Sequence, residues 1–148
     1  MQAKLVRSII RALDRTAVLL GRTPARAAHL ATGTRGEEDT YFHLRTLGYV
    51  IVARNFRSAK RKGEVDLIGW DGDTLCFIEV KTRSKRDVVP AEAAVDHNKQ
   101  RELRTMAREY MHRVKGDPPH RFDVVSVYHD AGIGAPRFEL LKGAFSIK

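Results

Sequence analysis

Three residues in one short stretch could do chemistry together: Asp66, Glu79 and Lys81, within residues 63–83, GEVDLIGWDGDTLCFIEVKTR. Two runs rich in branched and aromatic residues, Val65 to Trp70 and Thr74 to Thr82, flank Asp71-Gly72-Asp73, a pattern that predicts a β-hairpin. Side chains alternate between the faces of a strand, so Val65, Leu67, Cys76, Ile78 and Val80 make one apolar face. Glu64, Asp66, Ile68, Phe77, Glu79 and Lys81 fall on the other. A two-residue turn at Gly72-Asp73 sets Asp66 directly opposite Glu79, and a turn at Asp71-Gly72 leaves them diagonal neighbours. Facing carboxylates repel unless a cation neutralises them, and a divalent metal is the economical explanation.

Few ligands, all oxygen, suit a hard ion such as Mg²⁺ or Mn²⁺, which accepts one or two carboxylates together with waters and substrate phosphate oxygens. Lys81, two residues beyond Glu79, is placed to position or deprotonate an attacking water. That is the chemistry of phosphodiester hydrolysis. The spacing of an Asp, about a dozen residues, then Glu-x-Lys resembles the signature of the PD-(D/E)xK nuclease superfamily. A hairpin with one wet face could also carry Glu79 and Lys81 for solubility. Phe77 and Ile78, however, make the run more apolar than an exposed strand needs.

The chain has 148 residues, enough for one domain with a real core. Its net charge of +9 invites a polyanionic partner. Residues 1–35 hold seven of the basic side chains against one acid, so the remainder is only mildly basic. The single cysteine, Cys76, excludes an internal disulfide, and no Cys/His cluster or ligand spacing among six histidines suggests zinc. With no membrane-length apolar stretch and no secretory signal pattern, we expect a cytoplasmic protein without a membrane partner or small-molecule cofactor.

The elements that must position the three residues follow from periodicity. Residues 1–20 have the pattern of a basic amphipathic helix, and Gly21 to Gly36 reads as a linker, so residues 1–32 are taken as an extension of a domain at 33–148. A helix is expected over Arg35 to Leu47, capped by Gly48, with Glu37, Tyr41, Leu44 and Leu47 as its core-facing stripe. An acid at Glu37 can simply complement the helix dipole, or it can add a carboxylate to a nearby metal site. A short strand at Tyr49 to Ala53 precedes a basic segment in which Arg54, Arg57, Lys60, Arg61 and Lys62 could hold a phosphate backbone, or only keep a loop solvated. Arg83 follows the hairpin in a second basic stretch. A long helix is expected from Pro90 to about Val114, its stripe extended by Lys99, which could reach the site or a phosphate or could snorkel. Strands over Phe122 to Tyr128 and Arg137 to Leu141, the latter at an edge, complete an α/β fold: a mixed central sheet flanked by helices in the order αβββαβ, after the N-terminal helical extension.

Gly36-Glu37, Leu44, Gly48-Tyr49, Arg54-Asn55-Phe56-Arg57, Gly63 to Ile68, Phe77 to Arg83, Lys99 and Arg121 to Val125 together resemble the YraN family of bacterial proteins. That family is similar to archaeal Holliday-junction resolvases and has the restriction-endonuclease-like core. The resemblance covers about residues 33–130. It implies that Asp66 and Glu79 bind the metal with the Val80 carbonyl as an extra ligand, that Lys81 is the catalytic lysine, and that Glu37 is a helix-borne catalytic acid. Glu64 belongs to the family's Gly-Glu-x-Asp motif. Since a four-way junction needs two symmetric cuts, the resolvase likeness also implies a homodimer acting on branched DNA.

Two function classes emerge. One is a metal-dependent, structure-selective DNA endonuclease. The other is a catalytically silent nucleic-acid-binding module on a nuclease scaffold, whose salt-sensitive binding should survive loss of Asp66 but not of residues 1–35. A membrane-surface adaptor using the amphipathic arm is the third and weakest reading.

Overall fold

A computed structural model describes residues 28–83, 90, 95–129 and 134–148. The expectations for the N-terminal arm, and for the residues just after Arg83, fall outside the described residues. Helix α1 (Ala28–Thr46) precedes the strands β1 (Val50–Phe56), β2 (Val65–Asp71) and β3 (Thr74–Arg83). Helix α2 (His97–Met111) leads to β4 (His120–Tyr128) and β5 (Arg137–Phe145). The strands form one mixed sheet in the order β1-β2-β3-β4-β5. All pairs are antiparallel except β3 with β4, whose connection crosses over through α2. The αβββαβ order and the mixed, helix-flanked sheet are as expected, with β5 at an edge.

The hairpin takes the first of its two registers. Leu67 pairs with Ile78 and Asp71 with Thr74, leaving Gly72-Asp73 as the turn. Gly72 supplies the positive φ of 61° that the first central position of a type II′ turn demands. Both hairpin faces are covered, which explains why Leu75-Cys76-Phe77-Ile78 is an unbroken apolar run. On one face Leu103, Met106 and Ala107 of α2 pack on Ile68, Leu75, Phe77, Phe122 and Val124. On the other, Leu44 of α1 and Tyr49 pack on Leu67, Cys76, Ile78, Val125 and Val127. Val65 departs from the alternation. It packs on the α2 side beside Phe56, its partner across the ladder, because a strand entering a twisted sheet has rotated at that point.

The helix boundaries correct the sequence reading. The linker expected up to Gly36 is helical from Ala28, since Ala28, Leu30 and Ala31 are strong helix formers and Gly36 has another role. A Cβ at Gly36 would lie 2.4 Å from Thr82 Oγ1, so glycine lets α1 cross the end of β3 closely. The buried face of α1 is also rotated from the expected stripe: Gly36, Asp39, Thr40 and Leu44 face inward, Glu37 and Tyr41 lie on the flank, and Leu47 is exposed. The second long helix begins not at Pro90 but at His97, where Asp96 caps it by accepting the Lys99 amide at 2.8 Å. It ends at Met111, and Tyr110, Met111 and Val114 pack partly against the core as the stripe required. Among the described residues, no helix is long and apolar enough to cross a membrane.

Candidate active site

β3 outruns its partner. The β2–β3 ladder runs as far as Leu67 with Ile78, and the next rung holds Asp66 on one strand and Glu79 on the other. In place of a ladder bond, Asp66 Oδ2 accepts the Val80 N–H at 2.8 Å. The N–H and C=O of a strand residue point to the same edge, so the Val80 carbonyl is turned toward the same gap.

Burial is the main reason the Asp66 carboxyl is pushed up to about 8, and the charge of Glu79 adds to it. Glu37 raises it further, whereas the Val80 N–H and Lys99 act to lower it. Glu79 is 4% exposed, with Oε1 held by Lys81 Nζ at 3.1 Å. Its Oε2 is buried without a hydrogen bond, and Lys99 Nζ stands off at 3.5 Å. The same ammonium lies 3.0 Å from Glu102 Oε2 and 3.4 Å from the Glu64 carbonyl. Burial alone lowers the Lys99 pKa, but Glu79 and then Glu102 outweigh it, and the net shift is upward. The described end of the sheet thus holds an acid pair, Glu79 buried and Asp66 half-buried, with two lysines at its rim.

The expected gathering of Glu64, Asp66 and Glu79 is corrected. Glu64 precedes β2 and turns away, accepting Asn55 Nδ2 at 2.9 Å and pairing with Arg57. Asn55 has a left-handed φ of 51°, and the same amide donates to Glu37 Oε2 at 3.0 Å. It therefore ties the acid of α1 to the acid that leads into β2. Glu37 stands near enough for Asp66 to feel its charge, yet no group of three or more His, Cys, Asp or Glu side chains among the described residues is gathered closely enough to cage a metal. What remains is a two-carboxylate site. Its donor set fits a hard ion that keeps most of its waters, and the orphaned Glu79 Oε2 is an oxygen such an ion could use.

The expected phosphate contacts divide. Arg57, Arg61 and Lys62 line an open cleft of about 410 Å³ with Ser58, Gly63, Glu64 and Glu102, the last of which pairs with Lys99. Lys60 is exposed outside it, and Arg54 is exposed with its guanidinium 4.9 Å from the centre of the Tyr41 ring. Arg83, also expected at a phosphate, is 8% exposed at the end of β3. Asn55 and Glu102 were missed. Glu102 could have been read from its place three residues after Lys99 on a helix, whereas the role of Asn55 depends on a left-handed backbone that its sequence does not announce.

The family model described as "Uncharacterised protein family UPF0102" matches residues 36–127, which span α1 from Gly36, the acid pair, α2 and most of β4. A UPF0102 protein of Koribacter versatilis is 53% identical over 122 residues, covering 82% of this chain and 84% of the relative. One from Solibacter usitatus is 47% identical over 114 residues, covering 76% and 84%. One from Geotalea uraniireducens is 37% identical over 127 residues, covering 85% and 98%. With its matched segment carrying both carboxylates and both lysines, the chain belongs to UPF0102, the YraN family.

Proposed function

We propose that this protein is a divalent-metal-dependent endonuclease that hydrolyses phosphodiester bonds in DNA, with selectivity for branched or otherwise non-duplex substrates. The observation that carries the reading is the Asp66–Glu79 pair: two acids on adjacent strands, one pushed up to about 8 and the other with an unbonded buried oxygen, beside Lys81 and Lys99. Asp66, Glu79 and the Val80 carbonyl would hold Mg²⁺ or Mn²⁺, which supplies Lewis-acid stabilisation of charge on the phosphate when bound. Lys81 reaches Glu79 through one ammonium hydrogen and has others left to orient an attacking water and to face the developing negative charge. Glu37, which accepts a hydrogen bond from Asn55, would take up a proton near that water. Arg57, Arg61 and Lys62 give the flanking phosphates a cationic cleft, while Arg54 and Lys60 extend the positive surface. A homodimer would present two such sites to a junction.

Purified protein should cut at least one of four-way junction, flap or single-stranded DNA with Mg²⁺ or Mn²⁺, and EDTA should stop it. Lys81→Ala should lower the rate about 10²-fold or more while DNA binding persists. Absence of metal-dependent cleavage across these substrates would overturn the reading. DNA binding unmoved by Asp66→Ala would then leave the silent binding module.

A further inference from the structure

Lys81 and Lys99 approach the same carboxylate on different terms. Lys81 sits on the strand of Glu79 and bonds its Oε1 at 3.1 Å. Lys99 comes from the first turn of α2 and stands 3.5 Å from Oε2, the oxygen that makes no hydrogen bond. Its closest contact is Glu102 Oε2 at 3.0 Å, three residues along the same helix. One ammonium is therefore shared between a buried acid of the site and an acid outside it, 29% exposed on its side chain.

Glu102 is a fixed receiver. A Cβ on Gly63 would lie 2.4 Å from Glu102 Cγ, and Gly63 itself has a φ of 137° that favours glycine. The loop that leads into β2 thus packs directly on the Glu102 stem and holds it beside both Lys99 and the cationic cleft. A dication using Glu79 Oε2 would meet Lys99 within a few ångströms. Like charges that close repel strongly where solvent is partly excluded. The ammonium needs only to give up Oε2 and keep Glu102, a shift of side-chain torsions rather than of backbone.

We propose that Lys99 and the divalent ion compete for Glu79, and that Glu102 is the positioning residue that takes Lys99 over when the ion enters, turning the ammonium toward the phosphate cleft. The inference rests on the metal-dependent reading above and adds to it a determinant of metal affinity that lies on α2.

The test is Mn²⁺ binding to the full chain, followed by the electron paramagnetic resonance of the free ion. Lys99→Met should bind Mn²⁺ about tenfold more tightly than the parent, because a competing charge is gone. Glu102→Gln should bind it about threefold more weakly, because Lys99 is left with Glu79 as its acid partner. Should Lys99→Met fail to fold, the Glu102→Gln result decides alone. Mn²⁺ binding that is lost in Asp66→Asn, yet no tighter in Lys99→Met and no weaker in Glu102→Gln, overturns this inference and leaves the metal site standing. No Mn²⁺ binding dependent on Asp66 overturns both.

Discussion

Asp66→Asn should yield a protein that cuts nothing and, in EDTA at neutral pH, melts higher than the parent. On the proposed metal-dependent reading, loss of one of the two carboxylate ligands would remove several kcal/mol of charge stabilisation from the cleavage step, a fall on the order of 10³-fold in rate. The stability gain has a separate origin. The Asp66 carboxyl is pushed from 3.8 up to about 8 by burial and by Glu79, so the folded chain keeps a proton that the unfolded chain has lost between those pH values. An acid shifted upward weakens the fold as pH rises. Its contribution is most favourable below about pH 4, declines between about pH 4 and pH 8, and levels off above. Asparagine cannot ionise and still offers Val80 a carbonyl oxygen. We expect about 2 kcal/mol of added stability near pH 7, below the ceiling that 1.36 kcal/mol per pH unit sets on so large a shift. That corresponds to roughly 4–8 °C for a chain of this size. Melting curves at pH 5 and pH 8 check it: the two proteins should differ more at pH 8, and Mn²⁺ should raise only the parent. A variant that melts lower than the parent at pH 8 would show that the carboxyl does not strain the fold.

Arg121→Ala should be strongly destabilising although it is remote from the acid pair. Arg121 Nε bonds Asp123 Oδ1 at 2.8 Å, and one of its terminal nitrogens reaches Asp71 Oδ2 at 2.6 Å. Asp123 is 1% exposed and also accepts the Gly143 N–H at 3.0 Å and the Tyr49 hydroxyl at 3.3 Å. Burial, and then the charge of Asp123, drives the Tyr49 phenol well above its usual range, so it remains a donor. Removing the guanidinium leaves a buried carboxylate with one hydroxyl and one amide. Breaking a buried pair in this way costs about 3–5 kcal/mol. At roughly 2–4 °C per kcal/mol the melting temperature should fall by about 10 °C. Thermal unfolding at pH 7 reads it directly, and a loss under about 1 kcal/mol would mean that water solvates Asp123 after all. Asp71 is better exposed. Its pKa is lowered first by the hydrogen bond from Lys142 and then by that from Arg121, so whatever it adds is present at neutral pH and fades on acidification.

The hairpin was the most legible part of the chain because its information is local. Alternation, a Gly-Asp turn and two odd-sum partners suffice to set Asp66 against Glu79, and the structure adopts that register. The Arg121–Asp123–Asp71 network was illegible for the opposite reason: its members come from β2 and β4, which the parallel crossover brings to either side of β3. The rotation of α1 was missed because Asp39 and Thr40 look like surface residues. Tertiary packing buries them, with Asp39 paired to His129 at 3.3 Å. Lys99 was noticed as an extension of an apolar stripe, but its meaning lay in Glu102, and a helix wheel alone does not say which of two acids a lysine will choose.

Cys76 lies fully buried between the carboxylate network and Ile78, and burial, with Asp123 adding to it, pushes its thiol up to about 12. Thiolate is the nucleophile, so the folded chain has almost none with which to attack a disulfide reagent. Derivatisation must wait for the central strands to part, which makes this lone thiol a natural clock for how often the sheet opens.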